Sequence, residues 1–352
     1  MPGVTPALSV GRVIIARKKV AKLSREKNVT KQAVSHCGNF ILRPTNHPLF
    51  DAYFFVDWSA NNSPKRGKDS LWISEAFRQD SRLQFASLEK ASNPSTRHAA
   101  TETLIDRLRL HLEAGRSALV GLDFSFGFPT CVATSVIGRT QSEIMRSLAD
   151  RLTDHSNNQN NRFEVAGRLN RAMEFPGQQG PFWGHPPRAS YENLTAKRPK
   201  QILQSDKVSE YRVVEKKMRE SGHRVFSIWQ LFGHGSVGGQ ALTGLARLWQ
   251  LRSHPDLQNE STLWPFETGW RLPKISSPQI VFVEFWPSLL SWDASDHPIR
   301  DAAQVIGAVR WAANQDDQGL LADKFTPLSP KDRERQIAQE EGWIFGFTDS
   351  SG

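Results

Sequence analysis

Cysteine is nearly missing from this chain of 352 residues: only Cys37 and Cys131 occur, far apart and without a CxxC pair. That excludes a disulfide framework and a cysteine-built zinc site, and it fits a reducing, cytoplasmic setting. No apolar run approaches the roughly 18–20 residues needed to cross a bilayer, so no membrane partner is expected. There is no HExxH, no GxSxG elbow after a strand and no Walker A, because Lys and Ser/Thr do not follow Gly238. Internal repeats and coiled-coil heptads are absent as well.

Hydrophobic residues make up 38% of the chain and charged ones 23%, with a net charge of +9. Such a chain can bury a substantial core, and its basic balance favours an anionic partner, nucleic acid or nucleotide first. The excess is partly local. Residues 1–48 open with Arg12, Arg17, Lys18, Lys19, Lys22, Arg25, Lys27 and Lys31 against Glu26 alone in the first 36. This reads as a flexible basic arm, with a start set too far upstream or a transit peptide as alternatives. Ser24 to Ser35 could form a short helix against phosphates, though a solvated arm is the plainer reading.

The folded body spans residues 49–347. Two apolar segments each run into a carboxylate, Tyr53-Phe-Phe-Val-Asp57 and Ala118-Leu-Val-Gly-Leu-Asp123. Ser70–Ala76 and Leu83–Glu89 read as strands between them, and Ser95–Gly115 as an amphipathic helix with a capping residue at its start. A fifth strand is expected at Gln279–Phe285 and a closing helix at Ile299–Asn314, whose Ala302, Val305, Ile306, Val309 and Ala313 share a face. The fold class implied is α/β. Its core is a ribonuclease-H-like mixed five-stranded sheet, three antiparallel strands and then parallel ones, with flanking helices. The core divides into residues 49–139 and 276–347, separated by a helical insertion over 140–275. Helices are expected there at Ser142–Leu152, Arg162–Met173 and Gln240–Arg252, with loops at Asp154–Asn161 and Phe175–Arg188. A frayed tail covers 348–352.

Four acids fall on the elements such a sheet would gather: Asp57, Asp123, Glu284 and Asp301. Singly, an acid at a strand end or in a first helical turn is unremarkable. Together they form a set of hard oxygen donors suited to Mg²⁺ or Mn²⁺, which would activate a water and offset charge on a phosphate. Ser59 and Ser125, two residues beyond each aspartate, are candidates to orient ligands or phosphate. His297 reads better as a loop residue than as an aid to the metal.

The segments Phe-Val-Asp57-Trp-Ser-Ala, Gly-Leu-Asp123-Phe-Ser-Phe-Gly-Phe-Pro, Val-Glu284-Phe-Trp-Pro-Ser and Arg-Asp301-Ala-Ala-Gln resemble an uncharacterised family of predicted ribonuclease-H-like nucleases, over roughly Tyr53 to Ala313. Relatives with the Asn-Arg-Phe-Glu-Val-Ala and Gly-Ser-Val-Gly-x-Gln segments carry labels invoking cobalamin or molybdopterin biosynthesis. The resemblance implies the fold and the position of a metal site, with Asp57, Asp123 and Asp301 as ligands and Glu284 as a further catalytic acid. Ribonucleases H proper also use a Glu on the first helix. Glu102 could play that part only by facing the strand tips.

Val225–Phe232 reads as strand-like and leads into Gly233-His-Gly235-Ser236-Val-Gly238, a G-x-G-x-x-G string before a helix. The acid-tipped second strand of a dinucleotide fold does not follow. Two readings remain: a turn offering backbone N–H groups at Gly235 and Ser236 to a phosphate, or a turn required by packing. Arg162 joins these as a phosphate-binding candidate. Ten further basic residues of the insertion (Arg168, Arg171, Arg188, Lys197, Arg198, Lys200, Lys207, Arg212, Lys216 and Lys217) are interleaved with Trp183, Tyr191 and Trp229. They suit either a nucleic-acid track or a solvated face.

The expectation is therefore a metal-dependent nuclease or phosphodiesterase. An ATP-dependent phosphotransferase of the sugar-kinase/actin-like superfamily is an alternative, although the glycine-rich hairpin after the first aspartate and a second core copy are missing. A non-catalytic nucleic-acid-binding protein is another.

Overall fold

The computed structural model describes residues 47–130, 132–175, 180–203, 208–275, 278–327 and 332–348, all within one unit, Thr45–Gly352. The basic arm, the segment 24–35 and the last four residues lie outside the described residues.

A seven-stranded mixed sheet forms the centre. Its strands are β1 (Ala52–Asp57), β2 (Trp72–Gln79), β3 (Arg82–Phe85), β4 (Ala91–Ser92), β5 (Ala118–Asp123), β6 (Ser261–Leu263) and β7 (Ile280–Glu284). They run in the order β3-β2-β1-β5-β7-β6, with β4 beside β2. β1, β2 and β3 pair antiparallel, and β1, β5, β7 and β6 pair parallel. The five expected strands are all present. β4 and β6 are additional, too short at two and three residues to carry a pattern. β6 comes from the stretch read as a helical insertion.

The helices are α1 (Arg97–Glu113), α2 (Val132–Ile137), α3 (Gln141–Arg151), α4 (Arg162–Ala172), α5 (Lys200–Leu203), α6 (Val213–Glu220), α7 (Val237–Ser253), α8 (Arg300–Asp317), α9 (Leu321–Lys324) and α10 (Asp332–Glu341). None is long and apolar enough to cross a membrane.

β1 and β5 are almost continuously apolar because both faces of the sheet are covered. Ala52, Phe54, Val56, Ala118, Val120 and Leu122 enter a core shared with α1, α3, α4 and α7. Tyr53, Phe55 and Leu119 enter the other, beneath α8. The Phe55 ring lies over Gly121, where an added Cβ would meet it at 2.5 Å. After α10, Trp343, Ile344, Phe345 and Phe347 return to bury themselves in that second core. There the Phe345 N–H donates to the Glu284 carbonyl at 2.7 Å.

Val225–Phe232 is not a strand. Its backbone makes one bridge, at Gln230, to Trp183, and Ile228, Trp229 and Leu231 are buried among helices. An apolar run alone does not separate such a core segment from a strand.

The loop after β1 is held by a buried guanidinium. Arg97 donates from Nη1 to the carbonyls of Ser59 (3.0 Å) and Asn61 (2.7 Å). It pairs with Asp154 through Nη2 at 2.6 Å and Nε at 3.0 Å, while Arg247 Nε reaches the same carboxylate at 2.8 Å. Removing one partner of a buried pair leaves its charge uncompensated, at a cost of about 3–5 kcal/mol. Asp154→Ala, which strands two guanidiniums, is expected to lose stability of that order in urea denaturation. A loss below about 1 kcal/mol would contradict this role for Asp154.

Candidate functional site

The site begins with a register. Cα pairing of parallel β1 and β5 sets Asp57 directly beside Asp123, the last residue of each strand. Residues in register on parallel neighbours project from the same face, about 4.8 Å apart in backbone spacing. By alternation that face is the α8 side, and α8 brings Asp301 in its first turn.

Both strand-end carboxyls are held well above the ordinary carboxylate range. For Asp57 the cause is burial first, then the charges of Asp123, Asp301 and Asp69. For Asp123 it is burial, then Glu284 and Asp301. No cation and no hydrogen-bond donor offsets either group among the described residues. Asp69 was not foreseen. It sits in the β1–β2 turn at φ 54°, a left-handed conformation that Asp tolerates better than most residues. Its N–H donates to Asp301 Oδ2 at 2.7 Å, fixing that carboxylate.

Glu284 differs from the expectation. Its register partner is Leu122, not Asp123, so strand alternation turns it out of phase with the aspartate pair. The buried Arg212 takes both its oxygens, Nη2 to Oε1 at 2.5 Å and Nη1 to Oε2 at 2.8 Å, and the Phe126 N–H adds a third bond at 2.8 Å. Arg212 also binds Glu215, and donates to the Glu341 carbonyl and to Ser125 Oγ. Glu284 is thus the counter-ion of a buried arginine, and Ser125 accepts from that arginine at 3.3 Å while lining the smaller cleft beside Asp123. Glu102 is exposed on α1, on the other side of the sheet. His297 packs edge-on to Trp72 and accepts the Ile299 N–H, as an ordinary loop histidine does.

Two clefts adjoin at the strand ends. The larger, about 720 Å³, is lined by the acids Asp57, Asp69 and Asp301 together with Arg162, Tyr191 and Phe232. The smaller, about 260 Å³, holds Asp123, Glu284 and Arg212. His234, Gly235 and Gln240 line both. Gln240 Nε2 donates to the Trp58 carbonyl at 2.6 Å and so braces the chain just past Asp57. Ser59 lines the larger cleft, where its Oγ accepts the Asn61 N–H at 3.4 Å.

The glycine-rich turn serves packing. Gly235 has φ +78°, and a Cβ on Gly238 would meet the Ile228 carbonyl oxygen at 2.1 Å. The N–H groups of Val237, Gly238 and Gly239 already donate to the carbonyls of Gly235, Gln230 and Ser236. Those three N–H groups are therefore not free for a phosphate, whereas Gly235 and Ser236, the two residues expected to offer theirs, line the larger cleft. The basic stripe is also interrupted, since Arg198 pairs with Glu210, Arg212 is buried in its ion pair, and Trp229 is core.

Comparison with protein-family models, with curated proteins and with solved structures finds no match to this chain.

Among the described residues, no three His, Cys, Asp or Glu side chains are gathered closely enough to enclose a metal ion. The donor set therefore differs from the all-protein cage of calcium or structural zinc. One or two carboxylates open to a cleft suit Mg²⁺, which keeps several waters and shares its coordination with substrate phosphate. The uncompensated Asp57–Asp123 pair fits that pattern.

The raised acids also set the pH dependence of the metal-free protein. Above the ordinary value of 3.8, the folded state keeps a proton that the unfolded chain has released. Folded protein then binds more protons, so stability falls as pH rises through that window. Asp57→Asn removes a repelling charge and is expected to raise the melting temperature of metal-free protein at pH 7–8 while flattening this slope. A lower melting temperature with the slope unchanged would show that the pair is not frustrated.

Proposed function

We propose that this protein is a divalent-metal-dependent phosphodiester hydrolase built on a ribonuclease-H-like core, acting on nucleic acid or a nucleotide. The observation that supports the reading most is the in-register Asp57–Asp123 pair, half-buried, mutually repelling and unaccompanied by a cation among the described residues. A sheet that places two acids together at its covered end gains nothing in stability from them. The arrangement makes sense when a cation belongs there. The strand order, three antiparallel strands followed by a parallel extension with acids on the first strand, the fourth sheet-forming strand of the core and the last long helix, is the order expected of ribonuclease-H-like hydrolases.

Asp57 and Asp123 would hold the ion; Asp301, expected as a third ligand, does not close a three-carboxylate cage with them and would add its charge from the cleft wall, steadied by the Asp69 N–H. An Mg²⁺ or Mn²⁺ ion bound there supplies acidity to an attacking water and charge to offset the developing phosphorane. The rest falls to the chain. Gln240 and Arg97 fix the backbone that follows Asp57, which holds the end of β1 in place beside β5. Arg212 neutralises Glu284 and keeps that third negative charge from adding fully to the pair. Arg162, which lines the same cleft, draws a phosphate toward carboxylates that would otherwise repel it.

The test is purified protein with Mg²⁺ or Mn²⁺ against labelled single-stranded DNA, duplex DNA, RNA, RNA–DNA hybrid and dinucleotides. Metal-stimulated cleavage is expected, and Asp57→Asn and Asp123→Asn are each expected to abolish it. Cleavage that persists in both variants would rule out this site.

A further inference from the structure

Arg162, at the start of α4, lines the larger cleft. It is only 7% exposed, yet no carboxylate lies within ion-pair distance of it among the described residues. Its Nη1 donates to the side-chain oxygens of Asn160 (3.0 Å) and Asn62 (3.4 Å), and its guanidinium stacks 4.3 Å from the Phe163 ring centre. Its Nε is buried and has no hydrogen-bond partner at all. Buried polar groups are almost always satisfied, and buried charges are paired.

The surroundings sharpen the deficit. Asp154, whose buried carboxylate acts on Arg162, is already shared by Arg97 and Arg247. Three guanidiniums therefore stand behind this wall with one buried acid. Burial and the neighbouring Arg97 charge push the Arg162 guanidinium down to about 10, the response of a cation that lacks its anion.

Beside Arg162 the wall is aromatic. Tyr191 stacks 5.1 Å from Phe163, and Phe232 stands edge-on to Phe163 at 6.5 Å. Phe232 is 40% exposed on a loop whose carbonyls are pinned by the Gln230 side chain. A large exposed ring held rigidly in a cleft offers a stacking surface. The cleft volume, about 720 Å³, lies in the range that small-ligand sites occupy.

We infer that this wall binds one nucleoside monophosphate unit, its phosphate on the Arg162 guanidinium and its base against Phe232 and Tyr191. This deepens the hydrolase reading and rests on it for the purpose of the site, since it makes the substrate a nucleotide unit held singly rather than a duplex read along its length. The unit could be a free mononucleotide or the phosphorylated end of a strand. Both present the same phosphate and base.

The experiment is calorimetric titration of the full chain with AMP in EDTA, beside adenosine, inorganic phosphate, and a short oligonucleotide with and without a 5′-phosphate. AMP is expected to bind about tenfold or more tighter than adenosine or phosphate alone, because a charge-assisted bond and a stacked ring act together. Arg162→Gln and Phe232→Ala are each expected to weaken AMP by about tenfold. The exposed Phe232 position and Arg162→Lys, which keeps the charge but loses the fork, carry the test should Arg162→Gln fail to fold.

Competition by the 5′-phosphorylated oligonucleotide, and not by its unphosphorylated form, would support a strand end. AMP binding without such competition would support the free nucleotide. Absence of AMP binding to folded wild-type protein, or affinity unchanged in Phe232→Ala and Arg162→Lys, overturns the inference. Asp57→Asn separates the two proposals: retained AMP affinity with lost cleavage supports both, whereas retained affinity with retained cleavage sinks the hydrolase and leaves this pocket standing.

Discussion

The pairing of β1 with β5 in register governs the rest of this molecule. Ala52–Asp57 lies residue for residue against Ala118–Asp123, so whatever ends one strand stands beside whatever ends the other. Five apolar positions before each acid are buried on both faces, and sliding the register by one residue would turn a whole set of core side chains to the wrong face. The aspartates cannot relieve their repulsion by shifting. Hydrophobic burial along the strands, at roughly 25 cal/mol per Å², outweighs the electrostatic penalty at their tips. α8 closes the same face and adds Asp301 rather than a lysine or arginine.

Charge in this end of the molecule is sorted, not paired. Where the protein needs a rigid support it pairs its buried charges: Arg212 with Glu284 and Glu215, and Arg97 and Arg247 with Asp154. Those networks tie α6, β7, α1, α7 and the loop after β1 together. At the cleft the pattern reverses: among the described residues Asp57 and Asp123 have no cation partner at the strand ends, and Arg162 at the start of α4 has no carboxylate partner. Each imbalance is costly alone. A ligand carrying both a cation and a phosphate would offset the two at once, which gives the segregation a common physical reason.

The strands and long helices were legible in the sequence because their patterns are strong. Apolar runs ending in Asp gave β1 and β5, and helical spacing gave α1, α3, α4 and α8 to within a few residues. Short elements left no trace: β4 and β6 exist because β2 and β7 have open edges. α10 and the buried Trp343–Phe347 segment also escaped, since a short aromatic stretch near a chain end carries no period. At the site, Asp57, Asp123, Asp301 and Glu284 could be placed from their elements, whereas the pairing of Glu284 with Arg212 could not. Arg212 is 72 residues away, and the register of Glu284 against Leu122 is set by the sheet. Asp69 and Arg97 were hidden for the same reason. One lies in a polar turn and the other inside a helix, and only tertiary contact brings them to the cleft. The glycine-rich string left two readings open in the sequence, and the close approach of Gly235 to Phe226 and of Gly238 to the Ile228 carbonyl gives the packing one a physical basis.

The most direct test is the proton count of metal binding. Mn²⁺ titrated into wild-type protein near pH 7, in two buffers of different ionisation enthalpy, reports how many protons leave as the ion enters. If Asp57 and Asp123 share retained protons that a cation must displace, binding will be accompanied by net proton release, and the Asp57→Asn/Asp123→Asn double variant will neither bind nor release. Binding of Mn²⁺ with no proton release, or equally well in the double variant, would contradict the account.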